Sequence, residues 1–383
     1  MALKPKIIYF ITEDWYFYSH RLPIARAARD AGFEVIVITR VDKHRGLIMN
    51  EGFKLIPIAL KRRSRNLISE LISFIEIIRI YRHEKPDIVH QVAIKPILYG
   101  SLAARITGVS SVVNAFAGLG YIFVAEGWKA KLFRKIFSLA FRLVFFSKSV
   151  CCIFQNPDDI KLFVEKGIVE KEKTVLIRGS GVDTNRFHLT PEINGQPIVV
   201  LASRMLWDKG ISEFVDAVRQ LKKRGVDLRA VLVGNPDSEN PSSISKSILI
   251  KWKNDELVEW NGYEDNMPEV FKRSNIVVLP SYREGLPKVL LEAASCGRAI
   301  IATDVPGCRE IVHHNVNGLL IPPYDSISLA NALNELIEDQ ERRATMGACG
   351  REIVEEQFSE KIVVRQTMEL YKKLLTNLEN KLM

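Results

Sequence analysis

The sequence predicts an α/β protein made of two Rossmann-like, doubly wound domains facing a cleft. Three observations lead there. Short β-branched apolar runs alternate with helix-length runs along the whole chain, the pattern of βαβ units and parallel sheets. The alternation breaks at LTPEINGQP (Leu189 to Pro197), where Pro, Asn and Gly interrupt it, and then restarts. The 383 residues are too many for one ordinary core and comfortable for two.

In the first half, KIIYFIT, FEVIVITR, FKLIPIAL, DIVHQVA, VSSVVNAF, SVCCIFQN and KTVLIRG read as strands. Helical patterns such as HRLPIARAARDAG and NLISELISFIEIIRIYRHEKP separate most of them. In the second half, PIVVLASR, DLRAVLVG, ELVEWNGY, IVVLPS, AIIATD and GLLIPP are strands, with a helix starting from Gly210. From Ser359 onward the pattern is one long helix. The expected domains are therefore residues 1–188 and 189–358, followed by a terminal helix over 359–383.

Composition sets bounds rather than function. The charged fraction of 26% and hydrophobic fraction of 47% are ordinary for a globular chain. The amino terminus reads as a first strand rather than a signal peptide, and no uncharged apolar run is long enough to span a bilayer. The five cysteines show no metal-ligand spacing and fit free thiols in a reducing compartment. A net charge of +9 admits acidic lipid, nucleic acid or an anionic substrate.

The most informative stretch is EGLPKVLLEAASCG, starting at Glu284. It lies between two strand patterns, so Glu284 falls on a loop at a strand's carboxyl end. Pro287 suits a first helical position, because it needs no partner for its missing N–H. Glu292 then lies roughly 7 Å along the helix axis. Between the two acids is a helix amino terminus, whose N–H groups and dipole attract an anion. Arg204 and Lys209 follow another strand end, in SRMLWDKG. An arginine fork and a lysine point charge there suit a diphosphate. Two acids flanking an anion site suit a ligand with hydroxyls at both ends and phosphates in the middle, which describes a nucleotide sugar.

These residues carry a resemblance to a known family. SRMLWDKG, LVGNPD (Leu232 to Asp237), the run from Trp260 to Val312, and NGLLIPP (Asn317 to Pro323) resemble the retaining glycosyltransferases of family four. That family has the GT-B fold, and the Glu284 and Glu292 pair matches its signature. The resemblance covers nearly the whole chain. It implies that Arg204 and Lys209 bind the donor diphosphate, Glu284 the donor sugar and Glu292 the ribose. It implies that the backbone near Gly262 and Tyr263 meets the base. Gly234, Gly285, Leu286, Pro287 and Lys288 complete the expected donor side. It implies no metal and no cofactor, with the nucleotide sugar (UDP-linked in expectation) serving as substrate and cations stabilising the leaving diphosphate. It also implies a terminal helix that returns to the first domain.

Acceptors in this fold bind the first domain. After its first strand the chain reads TEDWYFYSHRLPIA, taken here as a cleft loop. It lacks the family's Gly-Gly pair and carries Trp15, Tyr16 and His20 instead. Lys95 follows another strand end, and Asn114 and Gly118 occupy the stretch where many relatives have a catalytic-site histidine. His20 and His90 are the remaining histidine candidates. GLGYIF and EDWYFYSHRLPIA are similar to transferases acting on polyprenyl-diphosphate-linked sugars, such as those adding N-acetylgalactosamine in bacterial glycan assembly.

Residues 127–148, GWKAKLFRKIFSLAFRLVFFSK, bear on the acceptor. Lys129, Lys131, Arg134, Lys135, Arg142 and Lys148 occur with no acid. Trp128, Leu132, Phe133, Ile136, Phe137, Ala140, Phe141, Val144 and Phe145 recur at helical spacing. This is the composition of an interfacial helix, and the expectation is that this apolar face meets an anionic membrane surface. A second basic run, KRRSR (Lys61 to Arg65), precedes another amphipathic helix. The expected protein is a cytoplasmic glycosyltransferase held at the inner leaflet, moving an N-acetylhexosamine onto a polyprenyl-diphosphate-linked sugar. The alternatives are a nucleotide-sugar 2-epimerase of similar fold, or a transferase with a soluble acceptor. No nucleic-acid motif appears, so nucleic acid is not an expected partner.

Overall fold

A computed structural model describes residues 4–60, 66–118, 128–147 and 150–382. The chain divides into two compact units: Met1–Ser180 with Lys361–Met383, and Gly181–Glu360.

The first unit runs β1 (Lys6–Glu13), α1 (Asp14–His20), α2 (Leu22–Asp30), β2 (Glu34–Arg40), α3 (Arg45–Asn50), β3 (Lys54–Pro57), α4 (Leu67–Glu84), β4 (Ile88–Val92), α5 (Ile94–Thr107), β5 (Ser111–Ala115), α6 (Trp128–Phe145), β6 (Val150–Phe154), α7 (Pro157–Glu165) and β7 (Thr174–Leu176). Its seven strands lie in the order β3-β2-β1-β4-β5-β6-β7, with every ladder parallel. The strands are Val- and Ile-rich because helices cover both faces of such a sheet. Ile8, Ile36, Val89 and Val112 look toward α4, α5 and α6, while Ile7, Tyr9, Val35 and Val113 look toward the opposite layer.

The second unit runs β8 (Ile198–Ala202), α8 (Ile211–Lys223), β9 (Arg229–Val233), α9 (Lys246–Asn254), β10 (Glu259–Trp260), α10 (Met267–Lys272), β11 (Ile276–Leu279), α11 (Lys288–Ser295), β12 (Ala299–Thr303), β13 (Gly318–Ile321), α12 (Ser326–Glu338) and α13 (Gln340–Gln357). Its sheet order is β10-β9-β8-β11-β12-β13, again all parallel. Strand order reverses between β1 and β4 in one sheet and between β8 and β11 in the other. Those switch points leave a crevice at the strands' carboxyl ends, where doubly wound folds bind ligands.

The final helix, α14 (Glu360–Leu382), packs on the first unit. Val363, Met368, Leu370 and Tyr371 enter its core, and the Tyr371 hydroxyl meets His90 Nδ1 at 2.5 Å and donates to the Tyr9 hydroxyl at 3.2 Å. His90 is thus fully enclosed, and burial pushes its pKa well down. It is a core histidine, not a site group.

Three sequence expectations change. TEDWYFYSH is not a loop: Asp14–His20 is a helix. Buried Asp14 fixes it by accepting from the backbone N–H of Asp42 at 2.7 Å and of His44 at 3.0 Å. The segment Leu189 to Pro197 is no free linker. Glu192 forms a buried pair with Arg343 at 3.0 Å and accepts from Asn275, all within the second unit. In α6 the aromatic face points inward: Phe137, Phe141, Val144 and Phe145 belong to the core, so they are not the lipid-facing set. The outward side chains are Ile136, Leu139, Leu143 and, just past the helix, Phe146. One face fills the core, while the other sets these apolar side chains beside exposed Lys135 and Arg142. The run Lys61 to Arg65, residues 119–127, Lys148 and the side chains of Trp128 to Phe133 lie outside what is described.

Candidate active site

In the second unit, four strand-end loops converge because glycines let their backbones approach. Gly234 has φ +136°, and a Cβ there would sit 1.8 Å from the Ser203 carbonyl oxygen. At Gly210, with φ +69°, a Cβ would lie 2.1 Å from the Pro280 carbonyl oxygen, and at Gly307, with φ +84°, 2.4 Å from that of Gly285. The loops after β8, β9, β11 and β12 therefore close on one another around the β8/β11 switch point. Gly262 joins them, its carbonyl accepting from the Gly234 N–H at 2.6 Å, while the Trp260 indole donates to the Gly234 carbonyl at 2.9 Å.

Arg204 follows β8 and donates to Asp237 at 2.7 Å. Lys209 sits on a short turn beyond it and pairs with Glu284 Oε1. The Ser281 hydroxyl donates to the same oxygen at 2.6 Å. Only 19% of the Lys209 side chain and 11% of that of Glu284 are exposed. The cation and the acid singled out by the sequence are thus brought into contact across 75 residues of chain.

The helix α11 begins at Lys288, one residue later than expected, and Pro287 is its N-cap. No side chain caps this end, so its first N–H groups are not satisfied by a cap. Glu292 lies on the following turn, 3.9 Å from Lys288. Burial pushes the Glu292 carboxyl up to about 7, and the nearby Lys288 and Arg186 charges only partly oppose it. Gly285, Leu286 and Pro287 are buried in the loop between the two acids. Tyr263 is largely exposed beside Gly262. Sequence reasoning passed over Ser281, Asp237 and Arg186. Ser281 stands three residues before Glu284 and Asp237 ends the quoted LVGNPD, whereas Arg186 lies in a loop with no local mark.

The first unit disperses its candidates. Trp15 is partly exposed, and Tyr16 stacks on the His20 ring with centroids 4.1 Å apart. His20 Nδ1 bonds the Ser19 hydroxyl at 2.7 Å. These three share α1, just past β1. Lys95 is at the start of α5, past β4, but donates to Glu70 of α4 at 2.8 Å. Asn114 is fully buried, accepting from Ser101 at 3.1 Å, and so stands in the core rather than on a binding surface. Gly118 has φ +108° and ends the described stretch after β5. Among the described residues, no group of three His, Cys, Asp or Glu side chains is placed to hold a metal ion.

Two parallel-sheet units, with paired cations and acids at a switch point, define the class: a GT-B glycosyltransferase. Residues 6–153 match the family described as Glycosyl transferase 4-like, and residues 184–353 match Glycosyl transferases group 1. The chain is a glycosyltransferase, and the two matches agree with the resemblance to family four. It is 29% identical over 374 residues to the N,N'-diacetylbacillosaminyl-diphospho-undecaprenol α-1,3-N-acetylgalactosaminyltransferase of Campylobacter jejuni, covering 94% of this chain and 96% of that one. It is 26% identical over 310 residues to the UDP-Gal:α-D-GlcNAc-diphosphoundecaprenol α-1,3-galactosyltransferase of Escherichia coli, with 76% and 77% covered. Sucrose-phosphate synthase from Thermosynechococcus elongatus shares its fold with a TM-score of 0.81 at 20% identity, covering 98% of this chain and all of that one (100%).

Proposed function

We propose that this glycosyltransferase moves a sugar, an N-acetylhexosamine in expectation, from a UDP-linked donor to a polyprenyl-diphosphate-linked sugar, with retention at the anomeric carbon. The observation that carries it is the Lys209–Glu284 contact at the β8/β11 switch point, beside the uncapped start of α11. Lys209 and Arg204 receive the donor diphosphate, each exchanging its present carboxylate partner for phosphate oxygens. Glu284 accepts from a donor-sugar hydroxyl, and Glu292 from the ribose. Gly262, Tyr263 and Gly234 form the base side, while Gly285, Leu286, Pro287 and Lys288 shape the phosphate end. An acceptor hydroxyl oxygen bonds the anomeric carbon on the face from which the C–O bond to phosphate breaks. The departing β-phosphate takes the hydroxyl proton. Negative charge grows on that phosphate in the transition state, where fixed cations act most strongly.

The acceptor class rests on the names of the Campylobacter and Escherichia relatives, both of which carry an undecaprenol diphosphate sugar. Trp15, Tyr16 and His20 supply its nearest stacking and hydrogen-bonding groups in the first unit. Among the described residues no helix is long and apolar enough to cross a membrane. The protein is read as cytoplasmic and peripheral, held on the inner leaflet where such acceptors reside. The test is to incubate it with polyprenyl-diphosphate sugars and a panel of nucleotide sugars, weigh the product, and assign its anomeric configuration by NMR. Transfer with inverted configuration, or only to soluble sugars, would refute the reading.

A further inference from the structure

The layer α4–α5–α6 covers one side of the first sheet. Its inner side is settled: Ile77 and Tyr81 of α4 enter the same core as Phe137, Phe141 and Phe145 of α6. The outer faces of α4 and α6 therefore both look away from that sheet side. They are not polar. In the first half of α4, Ile68 is 72% exposed, and Leu71 and Ile72 are more than half exposed. On α6, Leu139 and Leu143 are similarly exposed, and Phe146 beyond it is 77% exposed. A soluble helix would carry charged residues at such positions. Apolar exposure of this kind, on two helices that each pack against α5, marks a contact surface.

The charges around it select the partner. The stretch from Trp128 to Ser147 contains five cations and no acid. Exposed Arg79 and Arg82 follow the aliphatic stretch of α4, and KRRSR precedes the helix in sequence. Glu70, inside the stretch, is already engaged by Lys95 and by the Tyr99 hydroxyl at 2.6 Å, and Glu76, half-buried one turn on, is held above the usual carboxylate range by burial. A protein groove would meet this surface with acids at fixed points. Apolar side chains with diffuse positive charge fit a bilayer with anionic headgroups.

We infer that α4 and α6 together form a two-helix bilayer-docking face, with Ile68, Leu71, Ile72, Leu139, Leu143 and Phe146 entering the headgroup–acyl boundary. It deepens the inner-leaflet part of the proposed function, because it assigns lipid contact to α4 and moves that of α6 to its aliphatic side. The test needs neither donor nor acceptor, so its outcome is independent of the transfer assay. Full-length protein is sedimented with vesicles of phosphatidylcholine alone or mixed with phosphatidylglycerol, and its oligomeric state is measured by light scattering. Wild type is expected on the mixed vesicles, less so in high salt. The triple variants Ile68→Ser/Leu71→Ser/Ile72→Ser and Leu139→Ser/Leu143→Ser/Phe146→Ser should each lose more than about tenfold of that partition, with melting temperature kept. Three results would overturn the inference: wild type remaining in the supernatant, an α4 variant that binds as wild type does, or a wild-type dimer that the α4 variant turns into monomer.

Discussion

Glu284→Gln separates two roles that the Lys209–Glu284 pair combines. Both side chains are mostly buried, and the substitution leaves the Lys209 ammonium with a neutral amide. Breaking a fully buried pair costs roughly 3–5 kcal/mol, and the residual exposure here lowers the expectation to about 2 kcal/mol. For a unit the size of Gly181–Glu360, each kcal/mol moves the melting temperature by roughly 2–4 °C, so a fall of about 4–8 °C is expected. Removing the cation as well, in Glu284→Gln/Lys209→Met, should return much of that stability, because no unpaired charge remains. Activity should behave differently. Losing a charge-assisted hydrogen bond to the donor sugar costs on the order of 1.5–3 kcal/mol, so transfer at sub-saturating donor should drop about tenfold or more. The double variant should be slower still, since nothing then faces the departing phosphate at that point. Calorimetry and initial rates on the four proteins of the cycle measure both effects. Additive melting shifts, or a Glu284→Gln enzyme with wild-type turnover, would refute the reasoning.

Glu292 is held protonated to higher pH in the folded protein than in the unfolded chain, so the fold binds more protons between about pH 4.5 and 7. Stability should therefore fall as pH rises through that window, by up to about 3 kcal/mol, and Glu292→Gln should flatten the melting-temperature profile while slowing transfer. Arg204→Ala and Lys209→Ala should lower turnover even at saturating donor, whereas a divalent chelator added to wild type should change the rate little; metal-restored activity would contradict this. Phe137→Ser should destabilise by roughly 3 kcal/mol or more and Phe146→Ser by almost nothing, as read by urea unfolding. Gly307→Ala should lower both stability and transfer rate, because its Cβ meets the Gly285 carbonyl beside Glu284. Wild-type behaviour of that variant would show the loops to be looser than described.

The strands were legible because burial on both faces of a parallel sheet writes itself as Val and Ile runs; β12, AIIAT, is buried at every position. The strand-end cations and acids could be grouped for a related reason. In a doubly wound fold, residues just past a strand are delivered to the crevice, so Arg204, Lys209 and Glu284 could be grouped before the Lys209–Glu284 contact was seen. What stayed hidden depends on distant partners. Asp14 turns its segment into a helix through backbone groups 28 and 30 residues away. Glu192 looked like part of a linker because its partner, Arg343, lies 151 residues on. In α6 apolar side chains stand on both faces, so periodicity locates a helix without saying which side is in. Asn114 falls within the strand VSSVVNAF, as it stands in β5, but the pattern does not tell that its side chain turns to buried Ser101.

The return of α14 to the first unit makes the second one an insertion. Its entry and exit lie side by side: the Val182 N–H donates to the Phe358 carbonyl at 3.0 Å, and the Glu360 N–H donates back to the Val182 carbonyl at 2.9 Å. During synthesis on the ribosome, the first 180 residues emerge long before the helix that completes their core. Until Tyr371 arrives, His90 and Tyr9 lack the hydroxyl that bonds them both, and the apolar seats of Val363 and Leu370 stand open. The second unit is continuous and can close first, so the nascent chain would hold a finished second unit beside an unfinished first one. Completion of the first unit therefore waits until every residue of the second has been made.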